Sequence, residues 1–392
     1  MRKTVRRVLC AILALLFVPV PCALAVTETD LPVVEPVAAD LTLNCRGALL
    51  MEQETGLVLY EKGANERLPI ASVTKIMTLL LTVEAIDKGI LRLEDKVPIS
   101  ETAASMGGSQ VFLEPGEEIT LHDVLKAVFV SSANDGAVAL AELVSGSVEA
   151  FVAAMNEKAA ALGMRDTLFY NPTGLDDGDT NLSTARDVAI MSRALLSHEM
   201  IYPYTTIWID SIRNGAFGLS NSNKLIRFYP GATGLKTGST GKAKYCVSAS
   251  AERNGLKLIA VVLAGESSQD RFNAAKTLLD HGFASYSFFR PEEVKFSPIP
   301  VWGGTTAAVM PVTEKTGFLL TKADAAGLET EVSLSEELTA PVEAGQRVGA
   351  VRYKQGDRVI LELPVTAGEA VPALDFSALF FRLCRLLFTG AV

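Results

Sequence analysis

The sequence predicts an α/β chain in two domains: an antiparallel sheet flanked by helices with a helical insertion, then a small C-terminal all-β domain. Three observations predict it. Strand-like runs both open and close the first domain. Helical periodicity fills the residues between them. From about Tyr286 the texture changes to short alternating runs separated by Gly, Pro and acidic turns. A sheet assembled from both ends of a segment, with helices inserted, is the arrangement such an order permits.

The elements follow in chain order. Arg2, Lys3, Arg6 and Arg7 precede an apolar run from Val8 to Val20, and Ala23-Leu24-Ala25 supplies a small-x-small cleavage site. Residues 1–25 read as a secretory signal peptide, too short in its apolar part for a membrane span. Residues 26–42, rich in Pro, Val and acidic side chains, read as a linker. The first domain covers 43–285. It opens with apolar runs flanking Glu54-Thr55-Gly56, a hairpin pattern. In "PIASVTKIMTLLLTVEAIDKG" the residues Ile76, Leu79, Leu80 and Val83 mark the buried face of a helix. In "ITLHDVLKAVFV" Thr120 and Asp123 make a capping-box-like start, and Leu121, Val124, Leu125 and Val128 form the stripe. Helix resumes at "GAVALAELV" after a break expected over Ser131 to Asp135. Residues 151–200 read as mostly helical, interrupted by the turn-rich "YNPTGLDDGDTNLS". "KYCVSASAE" and "LKLIAVVLAG" read as strands joined through Asn254-Gly255. A helix from about Asp270 to Leu279 is expected to stop near His281-Gly282. The all-β domain covers 286–368, with Val359, Leu361, Leu363 and Val365 alternating, and carries no cluster of chemically able residues.

Composition excludes several function classes. The formal net charge is −9, and loss of the leader removes four cations and no anion. An acidic chain is a poor nucleic-acid partner. Three cysteines remain after the leader, Cys45, Cys246 and Cys384, too few for a disulfide scaffold and not spaced for a metal. His122, His198 and His281 show no ligand spacing and read as packed or surface histidines. No metal and no cofactor is expected.

The candidate chemistry begins at Ser72 and Lys75. At i, i+3 they share one helix face, and that face is otherwise apolar. Burial penalises a charged lysine and lowers its pKa, so the pair would set a general base beside a nucleophile. Taken alone, a capping serine and a snorkelling lysine explain the pattern equally well. A second S-x-x-K match, Ser239-Thr240-Gly241-Lys242, sits in a Gly-rich turn where no helix holds the pair together. Ser132-Ala133-Asn134 lies between two helices and by itself reads as a polar turn. Lys236-Thr237-Gly238 lies ahead of the strand hairpin and by itself reads as a glycine turn with a solvated lysine. It is no P-loop.

In this order S-x-x-K, S-x-N and K-T-G form a specific set. With "RLPIASVTKIMT", "VFLEPGEEITLHDVLKAVFVSSANDGA", "NPTGLD", "LSTARDVA" and "TGLKTGSTGKAKYCVSASAERNG", the sequence resembles the low-molecular-mass penicillin-binding proteins, the serine D-alanyl-D-alanine carboxypeptidases, strongly over about 43–285 and more loosely beyond. The resemblance implies a β-lactamase/transpeptidase-like fold for the first domain. It implies that Ser72 attacks the carbonyl between two D-alanines of a peptidoglycan stem peptide, and that Lys75 takes its proton. Ser132 would relay a proton to the leaving amine, and Asn134 would hold the substrate amide. Lys236 would stabilise charge, and Thr237 would bind the terminal carboxylate. Gly238 would let the substrate strand approach. The backbone N–H groups of Ser72 and Ser239 would form the oxyanion hole. β-Lactams would be covalent inhibitors.

Residues 369–392 include "LDFSALFFRLCRLLFTG". Phe376, Leu379, Phe380, Leu383 and Leu387 share one helical face, opposite a narrow arc of Asp375, Arg382 and Arg385. The segment is too short to span a bilayer and reads as an interfacial membrane anchor. A terminal helix docked on the protein body is the other reading. Together these features describe a secreted peptide hydrolase held at the outer face of the cytoplasmic membrane. A β-lactamase of the same fold is the alternative enzyme. The class A kind deacylates with a glutamate, and no E-x-x-L-N-like segment follows Ser132. A D,D-endopeptidase shares the trio. A penicillin-binding sensor or wall-binding module without turnover is the alternative from another class.

Overall fold

A computed structural model of the protein describes residues 34–176, 178–314, 316–377 and 380. The expected leader lies outside the described residues, and so does the amphipathic C-terminal segment apart from 369–377 and Phe380. Residues 34–42 carry no regular secondary structure.

The described chain forms two compact units. The first holds Val34–Pro291 and Thr316–Ala326. Its centre is a five-stranded antiparallel sheet: β1 (Gly47–Glu52), β2 (Val58–Lys62), β3 (Ala232–Thr240), β4 (Lys244–Arg253) and β5 (Leu256–Gly265), in the order β2-β1-β5-β4-β3. β1 inserts beside β5, pairing Gly47 with Leu263 and Glu52 with Leu258, so both ends of the segment do build one sheet. The β1–β2 turn places Gly56 at φ +78°, and the β4–β5 turn holds Asn254 and Gly255 at φ 51° and 79°. Two successive positive φ values are what Asn-Gly supplies most readily.

Both faces of β5 are covered. Ile259, Val261 and Leu263 point into the larger core, which includes residues of α1 (Lys75–Asp87), α2 (Leu121–Ser131), α3 (Asn134–Ser145), α4 (Val148–Ala161) and α5 (Ala185–Leu196). Leu258, Ala260 and Val262 point the other way, toward Phe272, Leu278 and Leu279 of α6 (Ser268–Ser285). The predicted stripes are buried: Ile76, Leu80 and Val83 of α1, and Leu121, Val124, Leu125 and Val128 of α2, are all 0% exposed. Thr120 caps α2 by accepting from the Asp123 amide at 3.2 Å.

Two local expectations change. The break after α2 spans only Ser132 and Ala133, because Asn134 already opens α3. α6 runs through Gly282 to Ser285 and does not stop there. A Cβ at Gly282 would lie 2.5 Å from Leu258 Cδ1 and 3.0 Å from Leu50 Cδ2. That glycine lets the helix lie close on the sheet; it is not a cap.

After α6, β6 (Tyr286–Phe289) pairs with β7 (Phe318–Thr321), and both belong to the first unit. The second unit takes Glu292–Lys315 and the chain from Gly327 onward. Its main sheet has four strands, with β8 (Pro311–Thr313), β9 (Glu329–Leu334), β10 (Arg347–Gln355) and β11 (Arg358–Ala367) in the order β8-β11-β10-β9. Leu361, Leu363 and Val365 are buried, whereas Val359 is 44% exposed. The register shifts between Tyr353 and Lys354, where Tyr353 faces Leu361 and Lys354 faces Val359. The extra residue turns Val359 out with the lysine. Among the described residues no single helix is long and apolar enough to cross a membrane.

Candidate active site

Ser72 lies in a single 3₁₀ turn, Ala71–Thr74, that runs directly into α1 at Lys75. In a 3₁₀ turn the i and i+3 side chains eclipse, which suits the pair better than an α turn. Lys75 Nζ stands 2.9 Å from Ser72 Oγ. It also donates to Asn134 Oδ1 at 2.6 Å and to the Thr173 carbonyl at 2.7 Å. The lysine is 0% exposed. Burial first, then the nearby Lys236 charge, push its pKa well below the usual lysine value, against an opposing pull from Asp135. Three acceptors fix the ammonium's position while the surroundings favour its neutral form. Ala71, just before the serine, takes φ 47°. Such a conformation is uncommon for a side-chain-bearing residue and turns the chain sharply into Ser72.

The second wall comes from the gap between α2 and α3. Ser132 takes left-handed values, φ 62° and ψ 33°, as the C-cap of α2. Its Oγ is buried and has no hydrogen-bond partner among the described residues. A buried hydroxyl without a partner is rare and calls for an explanation in function. Asn134 opens α3. Its Nδ2 donates to Gly107 O at 2.7 Å, and its backbone N donates to Ser109 O at 2.7 Å. One Nδ2 hydrogen remains for a ligand. Asp135, fully buried, accepts from the amides of Val111 and Leu113 at 3.0 and 3.1 Å. Asn134 and Asp135 together strap the 107–113 loop to the rim.

The third wall is β3, the open edge of the sheet, and not a turn. Lys236 is 1% exposed, and its Nζ donates to the Thr237 carbonyl at 3.1 Å. Desolvation, helped by the Arg271 charge, brings its pKa down to about 7. Arg271, buried on α6, donates Nη1–H to Gly238 O at 3.0 Å and Cys246 O at 3.3 Å. Thr237 Oγ1 lies 2.7 Å from Ser222 Oγ. A Cβ at Gly238 would stand 2.8 Å from both Ile70 O and Ser72 N. The glycine therefore allows β3 to close on the Ser72 turn itself, since no side chain fits between those backbones. Ser239 follows, exposed, at the mouth.

All eight residues singled out from sequence thus lie on the three segments that these contacts join: 72–75, 132–134 and 236–239. Sequence reasoning missed the loop behind Lys75. Asn171 Oδ1 accepts from Thr173 N at 3.1 Å, Thr173 Oγ1 at 3.0 Å and Gly174 N at 2.7 Å. That turn aims the Thr173 carbonyl at the lysine. Gly174, φ +80°, sits where a Cβ would meet Ala71 O at 1.9 Å. The "NPTGLD" stretch was visible, but its contribution is a backbone oxygen and has no residue-type signal. Arg271, Asp135 and Ser222 were also missed.

Besides Lys75, the site holds the basic side chains of Lys236 and Arg271 inside an acidic chain, which fits an anionic substrate. Among the described residues no cluster of His, Cys, Asp and Glu could hold a metal ion. Cys45 and Cys246 are both free thiols.

Residues 34–267 match the family model of D-alanyl-D-alanine carboxypeptidase, and residues 283–373 match that of the penicillin-binding protein 5 C-terminal domain. The chain is 42% identical over 347 residues to D-alanyl-D-alanine carboxypeptidase DacF of Bacillus subtilis, covering 86% of this chain and 88% of the relative. It is 33% identical to DacC of Escherichia coli, covering 91% of this chain and 90% of that one. Among solved structures, penicillin binding protein 5 from Haemophilus influenzae superposes with a TM-score of 0.70 at 28% identity, covering 86% of this chain and all 100% of that one. Penicillin-binding protein D2 from Listeria monocytogenes, in its ampicillin-bound form, gives 0.58 at 32% identity, covering 62% of this chain and 100% of that one.

Proposed function

The chain belongs to the D-alanyl-D-alanine carboxypeptidase family, and on that premise we propose that Ser72 is the nucleophile with which it removes the terminal D-alanine of peptidoglycan stem pentapeptides. The observation that carries this reading is the fully buried Lys75 with its Nζ 2.9 Å from Ser72 Oγ. Neutral Lys75 takes the hydroxyl proton as Oγ attacks the carbonyl between the two D-alanines. The oxyanion forms at the N–H groups of Ser72 and Ser239. The C–N bond breaks, protonated Lys75 hands its proton to Ser132 as Ser132 gives its own to the departing amine, and Lys75 is left neutral for the next step. Water then attacks the acyl-enzyme, gives its proton back through Lys75, and Ser72 leaves as the hydroxyl. Asn134 holds the substrate amide. Lys236 and Thr237 receive the free carboxylate. β-Lactams present a similar carbonyl and carboxylate and stop at the acyl-enzyme.

Two measurements test this. Penicillin should add covalently to Ser72, and Ser72→Ala should abolish the adduct; an adduct on Ser239 would overturn the assignment. A D-Ala-D-Ala pentapeptide should release D-alanine while a cross-linked dimer stays intact; cleavage of the dimer would make the enzyme an endopeptidase.

Secretion through the leader and attachment by residues 369–392 complete the reading. Phe376 and Phe380, 84% and 54% exposed with ring centroids 6.5 Å apart, support an apolar face that needs cover. The mature chain should float with anionic liposomes and resist high salt. A chain cut before Leu374 should remain in solution and still hydrolyse small peptides. Failure of the mature chain to float would overturn the anchor.

A further inference from the structure

Asn221-Ser222-Asn223 touches the end of α2 at Val130 and β3 at Thr237 and has no role in the mechanism above. The two asparagines are buried, 7% and 1% exposed. Asn221 Nδ2 donates to Ile207 O at 2.7 Å, and its Oδ1 accepts from Asn223 N at 2.8 Å. Asn223 Nδ2 donates to Gly234 O at 2.9 Å, and its Oδ1 accepts from Leu225 N at 3.1 Å. Both side chains are spent on backbone groups, which fixes the chain on either side of Ser222. Ser222 itself is exposed. Its amide donates to Val130 O at 3.4 Å, near the end of α2, and its Oγ lies 2.7 Å from Thr237 Oγ1 on β3.

An exposed serine on a mobile loop would face water. This one is held against a threonine by a buried framework and yet remains exposed. Two hydroxyls share one hydrogen bond between them, so a second hydroxyl proton stays available, and both can turn toward a ligand with two acceptor oxygens. A carboxylate is such a ligand. Lys236, whose Nζ donates to the Thr237 carbonyl, and Arg271, which donates to the Gly238 carbonyl, supply the favourable field.

We propose that Ser222 is a substrate-binding residue that donates, beside Thr237, to the terminal carboxylate of the peptide. This rests on the reading in which Thr237 receives that carboxylate. On binding, the hydrogen bond between the two hydroxyls would open, each would donate its one proton to one carboxylate oxygen, and the pair would select peptides with an uncapped end.

The test uses the full mature chain and a D-Ala-D-Ala peptide, once with a free carboxylate and once as its C-terminal methyl ester. Ser222→Ala should raise KM for the free acid and lower the free-acid to ester ratio of kcat/KM roughly tenfold, the scale of one hydrogen bond to a charged group. Ser222→Thr should restore the ratio. The melting temperature should hold, because the side chain is exposed. If Thr237→Val lowers the ratio and Ser222→Ala does not, the Ser222 assignment alone fails. Equal losses on both substrates in Ser222→Ala would also overturn it, since the serine would then only shape the loop. If Thr237→Val leaves the ratio unchanged, the carboxylate lies elsewhere and the underlying reading fails as well.

Discussion

On the mechanism proposed above, two buried lysines divide the chemistry between them. Lys75 must be neutral to take a proton, while Lys236 must be charged to attract a carboxylate. Burial depresses both, and Lys75 feels the Lys236 charge in addition. For the free enzyme on a free-carboxylate peptide, loss of the Lys75 proton should raise kcat/KM and loss of the Lys236 proton, with its pKa at about 7, should lower it, so the pH profile should be bell-shaped. Lys236→Gln removes a like charge from beside Lys75. The penalty on protonated Lys75 shrinks, its pKa rises, and the ascending limb for β-lactam acylation should move to higher pH. A limb that does not move would show that the two lysines are not coupled, or that Lys75 is not the base. At this scale much of the site was legible, because Ser72–Lys75 and Lys236–Gly238 are local in sequence. The missing members reach across the chain: Thr173 O comes from 98 residues beyond Lys75, and Arg271 from 33 beyond Gly238. Nothing local marks such contacts, least of all one made by a carbonyl.

At the scale of elements, glycine was the ambiguous letter. Gly282 and Gly238 read as a helix stop and a turn, two usual meanings of glycine. In the structure each permits close packing, α6 on Leu258 and Leu50, and β3 on the turn from Ile70 to Val73. Only the neighbour across the gap distinguishes these uses, and the sequence does not state the neighbour. The 171–175 loop was visible as a turn but not as a support. Asn171→Ala removes the acceptor of three hydrogen bonds and should cost about 1–3 kcal/mol of stability. It should also slow penicillin acylation well below the unfolding temperature, because the Thr173 carbonyl no longer holds Lys75 in place. Asn171→Asp keeps the acceptor oxygen and should recover much of the rate. Full-rate acylation by the alanine variant would confine the loop to a structural role.

For the whole molecule, the change of texture at Tyr286 and the division into compact units do not coincide residue for residue. The sequence shows where strands become short and alternating; it does not show which of them pair. β6 follows α6 directly, but its partner β7 comes from Phe318–Thr321, after the chain has left the first unit and returned. Leu319 of β7 packs in the same core as Tyr286, Phe288 and Leu279. A chain ended at Pro291 would keep every residue of the candidate site yet lose this strand. Its β6 would expose unpaired backbone and the apolar sides of Tyr286 and Phe288, the kind of edge that natural proteins cover. Burying a side chain of that size contributes roughly 1.5–3 kcal/mol, and the loss should appear as a lower melting temperature and as binding of an apolar dye. Ending the chain just before Leu374 removes nothing from this pairing and should leave the transition of the first unit where it is. Equal melting of the two shortened chains would mean that the returning strand adds nothing to the catalytic unit.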